Sequence, residues 1–337
     1  MDFVRFQTQF GVVLHPFAAL YRLILALRRS VWESGLARRL TPTCPCISVG
    51  NIAWGGTGKT PLTDWLMSWA ERKGLKTVVL SRGYKADLSV VPVYVKPEHS
   101  PREVGDEPLM LGLDHPACAV LVDPDRRRSG AYALQALAPE LILLDDGMQH
   151  VAVQRNLDMV LLRPVDLQEA WGRVLPEGSW REGASALTRA GVFLIKCPSA
   201  QLESLLPEFR ARLETLQRPV FSFTLKPCAL ERLDGGRGEG GLGTRPYALV
   251  TGVGNPQQVA QTATEFIGRP PEVHLIFPDH HTYTFKDTAR FAQLRMPVVC
   301  TRKDAVKLRG LPLVELWALR VEVCFGATLW SARTFPE

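Results

Sequence analysis

Residues 51–61 read Asn-Ile-Ala-Trp-Gly-Gly-Thr-Gly-Lys-Thr-Pro. Glycines let backbone N–H groups converge on phosphate oxygens without a Cβ in the way. Gly55, Gly56, Thr57 and Gly58 are therefore expected to cradle a nucleotide's phosphates. Lys59 can reach the β- and γ-phosphates, and the Thr60 hydroxyl can ligate Mg²⁺. The pattern G-x-x-x-x-G-K-[ST] asks for glycine at position 53, where this chain has Ala53; Gly55 and Gly56 offer the backbone freedom instead. A glycine-rich turn without ligand is the alternative. A second acidic element follows in Leu141-Ile142-Leu143-Leu144-Asp145-Asp146-Gly147. Four apolar residues suggest a buried parallel strand. Carboxylates at its end can hold Mg²⁺ directly or through water, although alone the same residues would read as an Asp-Gly turn.

These groups need elements to carry them. Cys46–Gly50 is a short β-type run entering the glycine loop, and Leu62, Trp65, Leu66 and Trp69 mark one face of a following helix. Lys76–Leu80 reads as a strand ending in Ser81-Arg82-Gly83-Tyr84, and Val120–Asp123 as another ending in Asp123-Pro124-Asp125-Arg126. Strands alternating with helical segments indicate an α/β doubly wound parallel sheet of the P-loop NTPase type. Further strand signals lie at 219–225, 247–251, 273–277 and 297–301, and predict a second, smaller α/β domain. The organisation expected is an amino-terminal helix over 1–35, a nucleotide-binding core over 36–216 and the smaller domain over 217–337. The run Leu233–Gly243 reads as an exposed excursion.

With 46% hydrophobic and 22% charged residues in 337, the chain is no disordered protein. A net charge of +6 favours an anionic partner, whether nucleotide, nucleic acid or membrane surface. Nucleic acid ranks last, because no aromatic-basic platform is recognisable. Seven cysteines without a CxxC pair argue for reduced thiols, a cytosol-facing location and no zinc site. Residues 1–40 carry six arginines against Asp2 and Glu33, around an apolar stretch too short and too broken by His15, Pro16 and Arg22 to span a bilayer. From Phe17 the pattern is helical. Phe17, Leu20, Tyr21, Ile24 and Leu27 share one face, and Arg22 and Arg29 lie on another. Such a helix either lies in a membrane interface or packs on its own domain.

Eight ordered segments resemble the tetraacyldisaccharide 4′-kinase family: 49–61, SRGY at 81–84, GDEP at 105–108, LDDGMQH at 144–150, PEGSWRE at 176–182, GVGNP at 252–256, PDHHTY at 278–283 and TRKDAVKL at 301–308. The resemblance implies an ATP-dependent kinase using Mg²⁺. The acceptor would be the 4′-hydroxyl of the tetraacyldisaccharide 1-phosphate precursor of lipid A, met at the cytoplasmic face of the inner membrane. It also implies two α/β domains with a β-stranded linker and an active site in their cleft. An amino-terminal helix would hold the protein to the anionic membrane surface; no protein partner is implied.

The resemblance assigns the general base to Asp106, with His280 as its partner. The two are expected on different domains, so that closure assembles them; His281 is the rival of His280. Glu107, Asp145 and Asp146 become candidates for Mg²⁺ or its water shell. Arg181 would neutralise the transferring phosphoryl group. Tyr84, Gln149 and His150 are placed on the nucleotide rim of one strand edge. Arg126, Arg127 and Arg128 would meet an anionic head group or ATP, or form a solvated basic turn. Thr301, Lys303 and Asp304 match the family motif without a role. A nucleotide-switch protein acting on a partner would share residues 46–60 and 141–146, yet would need neither Asp106 nor His280.

Overall fold

The computed structural model describes residues 3–233, 241–312 and 315–329, so part of the excursion expected near residue 240 lies outside the described residues. The chain forms two compact units. The first comprises residues up to Arg82, Ala117–Thr224 and those from Cys324 on; the second comprises Gly83–Pro116 and Leu225–Val323. This division differs from sequence boundaries at 35 and 216. The helix α1 (Phe3–Glu33) buries Ala18 in the core of the first unit, and residues 83–116 belong with the second.

In the first unit, β1 (Cys46–Asn51), α2 (Lys59–Arg72) and β2 (Thr77–Ser81) open the sheet. The second unit then takes β3 (Val93–Tyr94), α3 (Pro101–Val104) and α4 (Asp106–Asp114). Back in the first unit come β4 (Ala119–Val122), α5 (Arg126–Tyr132), β5 (Leu141–Asp145), β6 (Leu157–Leu162), α6 (Pro164–Leu167), β7 (Val192–Lys196), α7 (Ser199–Ser204) and α8 (Leu206–Leu213). The chain crosses into the second unit within β8 (Val220–Arg232) and returns within β12 (Leu316–Leu329).

The order β8-β7-β6-β1-β5-β2-β4 puts β1 at the point where successive connections change direction. All pairs from β8 to β4 are parallel. Ligands collect at the carboxyl ends of strands at such a switch point. The strands β2, β4 and β5 are buried along their whole length, which is why their sequences are continuous apolar runs instead of alternating ones. Register aligns Val49 with Asp145 and Asn51 with Leu161, so the polar ends of β1 and β5 emerge together. Gly50 permits this: a Cβ there would lie 2.6 Å from that of Met148.

The second unit holds β9 (Ala248–Thr251), α9 (Pro256–Ile267), β10 (Val273–Ile276), α10 (Phe285–Gln293), β11 (Val298–Thr301) and α11 (Arg302–Leu308). Its strand order β10-β9-β11-β12 is again parallel. Asn255 caps α9 through Gln258 N–H, and the Thr301 side chain caps α11 through Asp304 N–H. The second, smaller α/β domain expected from the sequence is thus present.

The helix α1 runs through Pro16 without interruption and starts earlier than the periodicity after Phe17 suggested. Its faces also divide differently from the expectation. Tyr21 turns inward and donates to the Arg181 carbonyl (3.1 Å). Arg29 donates to the Ser185 carbonyl (3.1 Å) instead of standing free for head groups. Val13, Phe17, Leu20, Leu23, Ile24, Leu27 and Val31 remain exposed as an apolar stripe along the other side. No helix among the described residues is long and apolar enough to cross a membrane.

Candidate active site

The loop after β1 carries the first constellation. Gly55 (φ 110°) and Gly58 (φ 93°) occupy the left-handed region, and Gly58 caps the helix whose first residues are Lys59 and Thr60. A side chain at Gly58 would also meet the Phe223 ring at 3.1 Å. The loop is pinned from outside: Trp54 N–H donates to the Ser179 carbonyl and Arg181 N–H to the Ile52 carbonyl. Gly55 and Gly56 are exposed, whereas the Thr57 hydroxyl is buried without a partner.

Lys59 donates to Asn51 Oδ1 (3.1 Å) and lies 3.8 Å from Asp146. Arg181 grips Asp146 through both terminal nitrogens at 2.9 Å, and donates to the Asn51 backbone carbonyl (2.7 Å) and side-chain oxygen. Gln149 donates to the same Asn51 carbonyl (2.9 Å). Burial alone would raise the Asp146 carboxyl, but the Arg181 bonds and the charges of Lys59 and Arg126 outweigh it and hold the group below its ordinary value. Asp145 is buried and accepts from the hydroxyls of Thr63 (3.3 Å) and Ser81 (3.1 Å). The His150 ring is pushed down to about 3 by burial and the nearby Arg126, so it is neutral, and its Nε2 is buried without a partner.

Sequence reasoning missed Asn51, the fully buried amide on which Lys59, Arg181 and Gln149 converge. Its only signal was a polar residue closing an apolar strand. Of the basic run, Arg126 is buried, whereas Arg127 and Arg128 are exposed. Arg126 is buried and donates to the Asp146 carbonyl (3.2 Å), Arg127 pairs with Asp125, and Arg128 pairs with Asp123.

The second unit carries the other constellation. Asp106, buried at the start of α4, accepts from His280 Nδ1 at 2.9 Å. Both residues belong to this one unit, so the expectation that they sit on different domains and meet on closure is corrected. Burial would raise the Asp106 carboxyl. The His280 bond and the positive charges of Lys303 and Lys307 prevail and keep it below the usual carboxylate range. His281 points elsewhere: it stacks against Phe277 and approaches Asp287, the residue that closes the capping box of α10. Tyr84 lies beside His280 in this unit, at 5.4 Å between ring centroids, and Gln149 and His150 belong to the first unit. Glu107 is engaged by Lys303 at 3.2 Å. Asp146 (φ 48°) and His280 (φ 61°) are two of the few non-glycine residues in the left-handed region among the described residues. Such strain, of order 1–3 kcal/mol each, persists where surroundings enforce it and clusters at functional sites.

Asp304 organises the loops beneath. It is fully buried and accepts from Gly252 N–H (3.1 Å), Tyr283 (3.0 Å), Thr301 (2.8 Å) and Lys307 (2.7 Å). One carboxylate thereby ties together three segments singled out in the sequence, those around 252–256, 278–283 and 301–308.

A glycine loop leading to a lysine at the amino end of a helix, at the switch point of a parallel sheet, defines a P-loop nucleotide-binding protein. A family model described as tetraacyldisaccharide-1-P 4′-kinase matches residues 10–333. The chain belongs to that family. A tetraacyldisaccharide 4′-kinase of Nitratidesulfovibrio vulgaris is 48% identical over 337 residues, covering 100% of this chain and 95% of that protein. One of Pseudomonas entomophila is 36% identical over 92% of this chain and 87% of that protein. Among solved structures, an "apo" form of LpxK from Aquifex aeolicus in complex with ATP aligns with a TM-score of 0.72 and 27% identity, covering 94% of this chain and 95% of that one.

Proposed function

We infer that the protein transfers the γ-phosphate of ATP to the 4′-hydroxyl of the tetraacyldisaccharide 1-phosphate precursor of lipid A. One observation carries the reading beyond nucleotide binding: a chain with a Gly-Lys-Thr phosphate loop also holds a buried carboxylate–imidazole pair. A nucleotide switch acting on a protein partner has no need of that pair.

A sugar hydroxyl attacks poorly until its proton has somewhere to go. In this reading the Asp106–His280 pair accepts that proton, with the carboxylate orienting the ring and stabilising the charge that appears on it. Lys59 and the N–H groups of the loop take the β- and γ-phosphates, in place of Asn51 and Asp146 on the lysine. Arg181 stands beside Asp146, placed to offset charge on the phosphoryl group in transit. Gln149 and neutral His150 complete the rim.

The donor set of the first unit, a threonine hydroxyl and two strand-end carboxylates, suits a hard cation that takes few protein oxygens. Thr60 and Asp145 would hold Mg²⁺, directly or through water, with Asp146 near. When bound, the ion supplies neutralisation of the phosphate oxygens. Glu107, already paired with Lys303, is left out of this set.

The apolar stripe of α1 supports attachment to the bilayer that contains the acceptor, at the cytoplasmic face of the inner membrane. Nucleic acid has no part in this reading. Because Ala18 and Tyr21 belong to the core, the test replaces the stripe without removing the helix. Leu20→Asp, Ile24→Asp and Leu27→Asp together should release the protein from vesicles containing anionic lipid, since each buried side chain of this size is worth about 1.5–3 kcal/mol. ATP affinity should survive, and a triple variant that still sediments with vesicles would put the attachment elsewhere. For the reaction itself, protein incubated with γ-labelled ATP, Mg²⁺ and the disaccharide 1-phosphate lipid should yield labelled lipid on chromatography. A label found only in inorganic phosphate would defeat the kinase reading.

A further inference from the structure

Lys303 in the second unit meets four polar partners. Its Nζ lies 3.3 Å from His280 Nε2, 3.2 Å from Glu107, 3.5 Å from Asp279 and 3.7 Å from Asp106. The side chain is largely buried and rises from the first turn of α11, where the Thr301 cap and the Asp304 network fix the backbone. We propose that Lys303 is a positioning residue that holds the Nε2 edge of His280 and, together with Asp106 on the Nδ1 edge, fixes the ring's orientation and tautomer, a proposal resting on the assignment of the Asp106–His280 pair to proton transfer.

The argument is one of hydrogen-bond polarity. An ammonium has three donors and no acceptor. A ring nitrogen that meets it must therefore present its lone pair, so Nε2 carries no hydrogen. In the neutral ring the hydrogen then sits on Nδ1, which donates to Asp106 Oδ2 at 2.9 Å. Asp279, at 3.8 Å from Nε2, is too far to accept from it and so does not favour the opposite tautomer. Burial would favour the neutral amine, but Glu107, Asp106 and Asp279 keep Lys303 protonated. Lys303 thereby holds the lone pair of the neutral ring at Nε2, with Asp106 holding the hydrogen on Nδ1. The Tyr84 ring at 5.4 Å and the left-handed backbone of His280 limit the other ways in which the imidazole could turn.

The test uses the full chain with ¹⁵N-labelled histidine, in which His280 is assigned by its loss in His280→Gln. The wild-type ring should show the Nδ1–H tautomer. In Lys303→Met, where Asp106 still holds the hydrogen on Nδ1, the Nε2 resonance should lose the shift caused by its ammonium donor, with kcat falling by about 10–10²-fold, as expected for a mispositioned reacting group, and KM for ATP unchanged. Lys303→Arg, which also only donates, should restore that shift and much of kcat. Lys303→Gln replaces the methionine variant if the latter does not fold, and its neutral amide should move the resonance part of the way. An Nε2–H ring in the wild type, or an Nε2 resonance unmoved in Lys303→Met even with a lower kcat, overturns the proposal. The ring signal is read without turnover, so a protein that transfers no phosphate would refute the kinase reading and leave the tautomer assignment standing or falling on its own.

Discussion

Lys59→Ala is expected to lower kcat by roughly 10³–10⁵-fold, the range spanned when a cation that stabilises phosphoryl transfer is removed. The physical reason is local. Lys59 is the first residue of α2, so its ammonium adds a full charge where the helix amino terminus supplies only a partial one. The variant should fold, because the side chain is partly exposed and its bond to Asn51 is not needed for packing. The alanine also leaves Arg181 on both Asn51 and Asp146, so the strand ends stay tied. The check is single-turnover transfer with saturating nucleotide, beside a thermal melt. Near-normal turnover with an unchanged melt would remove Lys59 from the mechanism.

The second large effect is expected at Asp106. Loss of a general base costs about 10²–10⁴-fold, and Asp106→Ala removes both the acceptor of the His280 Nδ1–H and the charge that stabilises an imidazolium. ATP affinity, measured by calorimetry, should persist, since the groups proposed for the phosphates belong to the first unit. The alanine variant also leaves Lys303 facing one carboxylate fewer in a buried setting, so some stability should be lost. Asp106→Asn separates the two effects. It keeps the shape and an acceptor oxygen but not the charge, so it should lose less stability than the alanine variant and still lose kcat. The sign with pH follows from the lowered carboxyl: Asp106 stabilises the fold while ionised, and that contribution is lost as pH falls through its folded value. A calorimetric acid titration should therefore show a smaller loss for Asp106→Asn than for the wild type. Turnover of the asparagine variant close to that of the wild type would shift the proton to another group.

Much of the first unit was legible because its strands are short apolar runs closed by polar residues. The runs ending at Gly50 and Asp145 announce both the strands and the edge where ligands collect. Periodicity also exposed the α2 helix. It could not say which way Tyr21 faces, because an amphipathic tyrosine suits core and interface alike, and here a hydroxyl bond to the Arg181 carbonyl decided it. Nor could it assign residues 83–116 to a unit. Their partners are α11 and the loop before α10, and no local pattern encodes contacts so distant in the chain. The two histidines at 280 and 281 were equivalent as letters. They differ only because neighbouring positions point apart, one to Asp106 and one to Asp287. Lys303 stood in a recognisable motif, yet its role lies in four partners, all of which come from other segments.

The second unit is assembled from two stretches, Gly83–Pro116 and Leu225–Val323, with Ala117–Thr224 threaded elsewhere between them. During synthesis the early stretch emerges well before its complement. At about 5–20 residues per second, the delay before α11 is made is roughly 10–40 s. For that interval the nascent chain exposes α4, with Leu109 and Met110 lacking the neighbours that later bury them and Asp106 lacking its histidine and lysine. The first unit still waits for its last strand segment, beyond Cys324. Neither unit is complete until residues beyond about 320 have been made, and truncation before that point should leave both open to proteases and chaperones.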